Sequence, residues 1–402
     1  MIPSCGELIV TVNTGSSSIR IGLFSGHREQ DQPTLLARGK LDGIGIRPRL
    51  KAALADGTPL SDIEFPPEQV PDMQAAFRLV ALALGSGLRG ERPALIGHRV
   101  VHGGNLFMAP TLVNRSVLEQ LRTLEPLAPL HLPYNLAPIQ AVLDDTPEQP
   151  QIACFDTAFH AGRDELSQLF GLPYALYEQG IRRYGFHGLS FEYVSQRLQE
   201  EAPEIADGKV VIAHLGNGSS LCGIEHGRSV EVTTSFSALD GLPMGSRCGA
   251  LDPGVLLHLL ALGEDAQSLE DLLYHRSGLL GISGVSSDMR TLRASQEPRA
   301  RLAIDYYAYH IAQEIGRMAA SLGGLDALVF TAGIGEKDAE LRAQVVARLA
   351  RLFDLRLDKA ANQVNAVRIS TADSARAMLV IPTDEESMIA RHAWRLYRED
   401  PA

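Results

Sequence analysis

Leu8-Ile9-Val10-Thr11-Val12-Asn13-Thr14-Gly15-Ser16-Ser17-Ser18-Ile19-Arg20-Ile21-Gly22-Leu23-Phe24 is an apolar run, a small polar turn and a second apolar run. β-Branched residues suit a pleated, half-buried surface, and Gly and Ser let the chain reverse tightly, so the stretch predicts a β-hairpin. The pattern returns in Val210-Val211-Ile212-Ala213-His214-Leu215-Gly216-Asn217-Gly218-Ser219-Ser220-Leu221-Cys222-Gly223-Ile224. One strand–turn–strand unit in each half of a 402-residue chain points to a duplicated domain. The length agrees, since it exceeds one ordinary domain and fits two, each with a sizeable core. Working outward, strand patterns cover 94–102, 152–156 and 327–330, and helical periodicity covers 112–124, 255–262, 299–322 and 338–353. Strands alternating with helices make an α/β architecture. Residues 28–75, rich in Pro, Gly and Asp, read as an irregular excursion. No low-complexity linker marks a boundary, so the repeat alone places it near 148–152.

Composition narrows the function. Apolar residues make up 45% and charged residues 21% of the chain, the balance of a globular protein. A formal net charge of −11 argues against a sequence-independent hold on nucleic acid or anionic lipid. It leaves a phosphate ligand open, because a local Arg cluster and backbone N–H groups override the global field. Cys5, Cys154, Cys222 and Cys248 lie far apart without a CxxC pair, the pattern of reduced thiols rather than a disulfide framework or zinc site. The first residues lack a basic-then-apolar leader, and no apolar run approaches the ~18 residues of a membrane span. The expectation is a cytoplasmic enzyme.

Several segments carry chemistry. A turn that receives phosphate oxygens needs N–H groups free of Cβ crowding and small hydroxyls or amides beside them. Gly15-Ser16-Ser17-Ser18 and Gly216-Asn217-Gly218-Ser219-Ser220 both qualify, although a plain hairpin turn looks the same. Neither is a Walker loop. Thr331-Ala332-Gly333-Ile334-Gly335-Glu336, between an apolar strand and a helix, suits backbone approach to a nucleotide. In Gly97-His98-Arg99-Val100-Val101-His102-Gly103-Gly104, strand alternation puts Arg99 and Val101 on one face. That pairing suits a small anion with an apolar tail; a structural ion pair is the alternative. Phosphoryl transfer needs cations around the equatorial oxygens and a metal held by carboxylates. Arg99, Arg247 and His187 would supply the first, and Asp156 with the acidic run Asp384-Glu385-Glu386 the second.

These motifs extend into a resemblance. Val12-Asn-Thr-Gly-Ser-Ser-Ser18, Gly97–Gly104, Ala128-Pro-Leu-His131, Phe155-Asp-Thr-Ala-Phe-His160 and Arg182-Arg-Tyr-Gly-Phe-His-Gly188 resemble the acetate kinase family. So do His214-Leu-Gly-Asn-Gly-Ser219, Met244-Gly-Ser-Arg247, Ser277-Gly-Leu-Leu-Gly-Ile-Ser-Gly284, Phe330-Thr-Ala-Gly-Ile-Gly-Glu336 and Ile381-Pro-Thr-Asp-Glu-Glu386, in family order. The resemblance implies two actin-like (ribonuclease H-like) domains with a duplicated βββαβαβα core and an active site in the interdomain cleft. It places the domains at 1–150, completed by 386–402, and at 151–385. It implies a homodimer acting on a small carboxylate and ATP with Mg²⁺, or Mn²⁺ as a substitute, by direct in-line transfer that gives acetyl phosphate and ADP. By position, Asn13 and Glu385 would place the metal. Asp156, Arg99, Arg247, His131 and His187 would surround the reacting phosphoryl group. Arg20, His214, Leu215, Gly216, Asn217, Gly218, Asp288, Met289, Arg290 and Gly333, Ile334, Gly335 and Glu336 would bind nucleotide. Val101, Leu130, Phe186 and Ala238, together with Arg99, would receive the carboxylate.

The chain departs from the family pattern at Leu132, Tyr134, Leu189, Phe191, Ala238 and Lys337. Ala238 stands where the family has Pro beside the acyl pocket, and one methylene there is discriminated by only ~1–3 kcal/mol. A kinase for propionate or another short carboxylate therefore stays open. So does an actin-like, ATP-switched binding protein, since fold alone does not set function.

Overall fold

The computed structural model describes residues 6–15, 18–87 and 91–399; Cys5, Ser16 and Ser17 lie outside them. The chain divides into two compact units, Met1–Ala158 with Asp384–Ala402, and Phe159–Thr383. The expected boundary at 150/151 falls inside the first unit, because the strand that starts at Gln151 hydrogen-bonds into that unit's sheet. Glu385 likewise belongs to the first unit rather than to 151–385.

In the first unit, β1 (Glu7–Thr14) and β2 (Ser18–Gly26) form the expected antiparallel hairpin, with Asn13 opposite Arg20. The sheet continues through β3 (Thr34–Asp42), β4 (Arg49–Leu54) and β5 (Pro59–Glu64) on one side. On the other side lie β6 (Leu95–Val100), β8 (Gln151–Phe155) and the short β7 (Thr111–Leu112). The order is β5-β4-β3-β2-β1-β6-β8-β7, with β1, β6 and β8 parallel. The region read as irregular, 28–75, thus holds three antiparallel strands. Gly39, Arg38, Lys40 and Lys51 dilute the apolar alternation there, and Asp56-Gly57 is the turn signal that joins β4 to β5. The helix expected over 112–124 is shorter, Arg115–Arg122, because Asn114 caps it by accepting Val117 N–H at 2.9 Å.

The C-terminal helix Glu385–Glu399 covers one face of this sheet and buries Met388, Ile389, Ala393 and Trp394. Its close approach depends on two strand glycines. A Cβ on Gly97 would stand 2.7 Å from Ile389, and one on Gly26 would stand 2.8 Å from the Trp394 ring. Burying each such large side chain contributes ~1.5–3 kcal/mol.

The second unit repeats the plan. β9 (Val210–Leu215), β10 (Ser219–Glu225), β11 (Arg228–Val232), β12 (Ala327–Thr331) and β13 (Ala377–Val380) run in the order β11-β10-β9-β12-β13. β9 is buried throughout, so it reads as one apolar run with both faces covered. Val211, Ala213 and Leu215 face the helix Pro298–Leu322; Val210 and Ile212 face the helix Gly188–Glu201. The three long helices expected in this half appear at Pro253–Ala261, Pro298–Leu322 and Ala339–Phe353. Both sheets share the arrangement of an antiparallel three-strand meander followed by two parallel strands, the actin-like α/β fold.

Candidate functional site

In the first unit the candidate residues gather where strands end. β6 delivers Arg99, β8 leads into Asp156, β1 carries Asn13, and the C-terminal helix opens with Glu385 and Glu386. The Arg99 guanidinium grips Asp156 with two parallel bonds, Nε to Oδ1 at 3.0 Å and Nη2 to Oδ2 at 2.6 Å. Its Nη1 donates to Asn13 Oδ1 at 3.2 Å. The Asn13 amide donates onward to Glu385 at 2.9 Å and to Glu386 at 3.1 Å. Asp156 is fully buried and the Arg99 side chain is 17% exposed. Burial works against the Arg99 charge, but Asp156, Glu385 and Glu386 outweigh it and hold its pKa above the usual value. Glu386 is pushed up, first by burial and then by the neighbouring Glu385. Asp156, Glu385 and Glu386 thus gather three carboxyl groups around Arg99 and Asn13 at one end of the sheet.

Arg20, expected at the nucleotide, stands across the hairpin from Asn13, half-exposed, 4.0 Å from Glu386. Val101 is buried just beyond β6; His131 and Leu130 are half-buried just before the helix Leu132–Asp145. Sequence reasoning missed Asn135. Its buried amide accepts Val101 N–H at 2.9 Å and donates to Thr14 O at 3.0 Å, tying the Arg99 loop to the hairpin turn. The available signal was a polar residue in the apolar stripe of Leu132, Leu136 and Ile139.

In the second unit His187 sits at the head of the helix Gly188–Glu201 with φ +58°, a left-handed conformation rare for a side-chain-bearing residue. Its Nδ1 pairs with Ser220 Oγ at 2.8 Å, and its ring stacks on His214 with centroids 4.2 Å apart. His214 Nδ1 meets Ser190 Oγ at 2.7 Å, which meets Thr383 Oγ1 at 2.8 Å. Gly218 lies against this stack, its missing Cβ 3.3 Å from His187 Nε2 and 3.9 Å from an Arg247 Nη1. Arg247 donates to the Ala238 carbonyl at 3.2 Å, so these two expected residues are brought together. Phe186 is buried beside His187.

A cavity of about 720 Å³ opens next to these groups, lined by Gly216, Asn217, Asp288, Met289, Gly333 and Ile334 among others. Arg290 also lines it, paired with Asp288 at 2.5 Å, a contact that lowers the Asp288 pKa. Gly333 has open space where a side chain would be, while Ala332 takes the strained turn position at φ +63°. Leu215 and Gly335 do not line the cavity: both are buried in the sheet's packing and offer only backbone. Glu336 turns to accept Thr383 N–H at 3.2 Å. Sequence reasoning missed Arg293 and Asp338, a paired couple at 2.8 and 2.9 Å in the cavity wall.

The acetokinase family model matches residues 8–391, nearly the whole described chain. The chain belongs to the acetokinase family. Within that family, it is 48% identical over 394 residues to the acetate kinase of Nitrobacter hamburgensis, covering 97% of this chain and 96% of that one. The acetate kinase of Rhizobium meliloti is 48% identical over 391 residues, covering 97% and 98%. Among solved structures, a propionate kinase from Francisella tularensis superposes with a TM-score of 0.86 at 33% identity, covering 96% of this chain and 98% of that one. An acetate kinase from Porphyromonas gingivalis gives 0.84 at 33% identity, covering 97% and 100%.

Proposed function

We infer that this chain is a carboxylate kinase that moves the terminal phosphoryl group of ATP reversibly to acetate. The acetate oxygen attacks phosphorus, the bond to the ADP oxygen breaks, and acetyl phosphate and ADP leave. The observation that carries this reading is the Arg99–Asp156–Asn13–Glu385–Glu386 network, which sets a largely buried cation beside three carboxyl groups at one end of the sheet. The acetate kinases at 48% identity support acetate as the acceptor.

Roles follow from chemistry. Arg99 and Arg247 would bind and orient oxygens of the transferring group, and preorganised cations need no rearrangement as charge develops. His187, held by Ser220 and stacked on His214, would donate to a phosphoryl oxygen from Nε2. His131, by its place in the family motif Ala128-Pro-Leu-His131, would join them. Val101 and Phe186, with Leu130 and Ala238, would exclude water from the acyl tail. The cavity at Gly216, Asn217, Asp288, Met289, Arg290, Gly333 and Ile334 would take the nucleotide. Among the described residues no three His, Cys, Asp or Glu form a closed metal cage. Mg²⁺ asks for less, one or two carboxylates with water and phosphate oxygens completing its shell. Glu385, with Glu386 beside it, would supply the carboxylate oxygens, and Asn13, whose amide donates to both, would hold them in place. Bound there, Mg²⁺ would neutralise charge on the phosphate oxygens.

A homodimer is part of this reading. The helix Pro253–Ala261 has no buried residue although it is largely Leu and Val, with Leu257 68% and Leu260 46% exposed. An apolar helix bare to water suits a second copy of the chain. Light scattering on the purified protein tests it, and a monomer at micromolar concentration would refute it. No helix of the described residues is long and apolar enough to cross a membrane.

Hydroxylamine trapping of acyl phosphate from MgATP with acetate, and with propionate in parallel, tests the reaction. Acetate-dependent product that disappears with EDTA is expected. Absence of product with either acid would overturn the assignment.

A further inference from the structure

His160 and Arg163, which the reaction as described does not use, meet the segment that carries Phe186 and His187 from behind. Arg163 has no exposed side-chain surface. Its Nε donates to His160 O at 3.1 Å, and its Nη2 donates to Arg183 O at 2.6 Å and Tyr184 O at 3.0 Å. Glu231 balances its charge at 3.4 Å. The His160 Nε2 meets Phe186 O at 3.1 Å and its Nδ1 meets Ser229 Oγ at 2.8 Å. A carbonyl only accepts, so Nε2 carries the proton and Ser229 donates to Nδ1. Burial first, then the Arg163 charge, push the ring down to about 3, so this tautomer holds through the working pH range.

The carbonyls of residues 183, 184 and 186 are therefore held by two buried side chains. The N–H groups are held from the other side, Tyr184 and Gly185 by Ser235 O at 3.1 and 3.2 Å and Phe186 by Thr234 Oγ1 at 3.0 Å. Gly185 is confined by the same ring, since a Cβ there would stand 2.9 Å from His160 Cδ2. Next comes His187 in its left-handed conformation. A strained residue persists only where its surroundings over-determine it.

We propose that His160 and Arg163 are positioning residues, His160 locking the Phe186–His187 peptide and Arg163 the two carbonyls at 183 and 184 that lead into it, and that together they fix the His187 imidazole. The proposal rests on the kinase reading above. It predicts that loosening the lock costs turnover rather than nucleotide affinity, because neither residue lines the nucleotide cavity.

The test compares His160→Gln, whose amide nitrogen reaches the place of Nε2, with His160→Leu, which cannot donate, and with Arg163→Lys. His160→Leu should lower kcat about tenfold or more, since small misplacements of a reacting group cost up to ~100-fold. ADP affinity by calorimetry should stay within about threefold of wild type, and His160→Gln should recover most of kcat. Hydrogen exchange at Tyr184, Gly185 and Phe186 should accelerate in the Leu variant and much less in the Gln variant. A folded His160→Leu protein with wild-type kcat would overturn the proposal. So would kcat and ADP affinity falling together, or equal exchange in the Leu and Gln variants. If the wild type itself turns over no carboxylate, the kinase reading fails, and exchange at those three amides alone decides the lock.

Discussion

The two units share one sheet plan and put different chemistry on it. Asn13 and His214 are both the penultimate residue of the first strand in their hairpins, opposite Arg20 and Ser220. The fourth strand of the plan ends in Arg99-Val100 in the first unit and in Phe330-Thr331 before Ala332-Gly333 in the second. The first unit closes its strand ends with a bidentate Arg99–Asp156 pair and two acidic helix residues. The second leaves its strand ends open as a cavity of about 720 Å³. The fold thus fixes where functional residues stand, and the residue at each strand end decides between charge and space.

The contrast predicts where substitution hurts most. Asp156→Ala leaves Arg99 buried without its main partner, which costs ~3–5 kcal/mol for such pairs and should lower the urea midpoint sharply. An equal loss from substituting the second unit's half-buried Asp288 would erase the distinction. Arg99→Ala and Arg247→Ala should each lower kcat by ~10²–10³ with the circular dichroism spectrum retained. Near-normal turnover in both would break the assignment of charge handling. Arg293→Ala removes a cation from the cavity wall and leaves Asp338 without that partner, which should weaken ATP binding roughly tenfold and leave the KM for acetate unchanged.

Acid offers a gentler test that strikes both units. Burial depresses His98 and His102 in the first unit to about 4, and His160 in the second to about 3. Unfolded, these rings titrate near ~6.5, so below that pH the unfolded chain binds protons the folded chain refuses. Stability should therefore fall as pH drops from ~6.5 towards 3. A flat unfolding midpoint across that window would contradict the neutral buried rings. Smallest of all, removing the exposed Arg49–Asp62 pair between β4 and β5 should leave Tm unchanged.

The duplicated hairpin was legible because β9 is buried on both faces and β1 nearly so, which leaves continuous apolar runs. The strands β4 and β5 were not, since they lie towards an exposed sheet edge where Arg49, Lys51 and Asp62 replace apolar residues. Arg99 and His187 could be singled out because a charge or an imidazole stands in a glycine-flanked segment, and Asp156 because a carboxylate follows an apolar strand. Asn135, Arg163 and Arg293 were not, because each acts through backbone or partner contacts that only folding brings together. The line between the domains was misplaced because β8 pairs with β6, a register no local pattern announces.

The helix Glu385–Glu399, which covers the first sheet, leaves the ribosome after every strand it covers. The strands it covers leave the exit tunnel early, so the apolar face around Gly26 and Gly97 waits for its lid until residues 385–399 are made. The second unit, Phe159–Thr383, is continuous and has all its parts before then. Domains usually mature in the order they are made. Here the later half is equipped to fold first, and a stop codon just before Glu385 would yield a chain with a finished second half and an uncovered first.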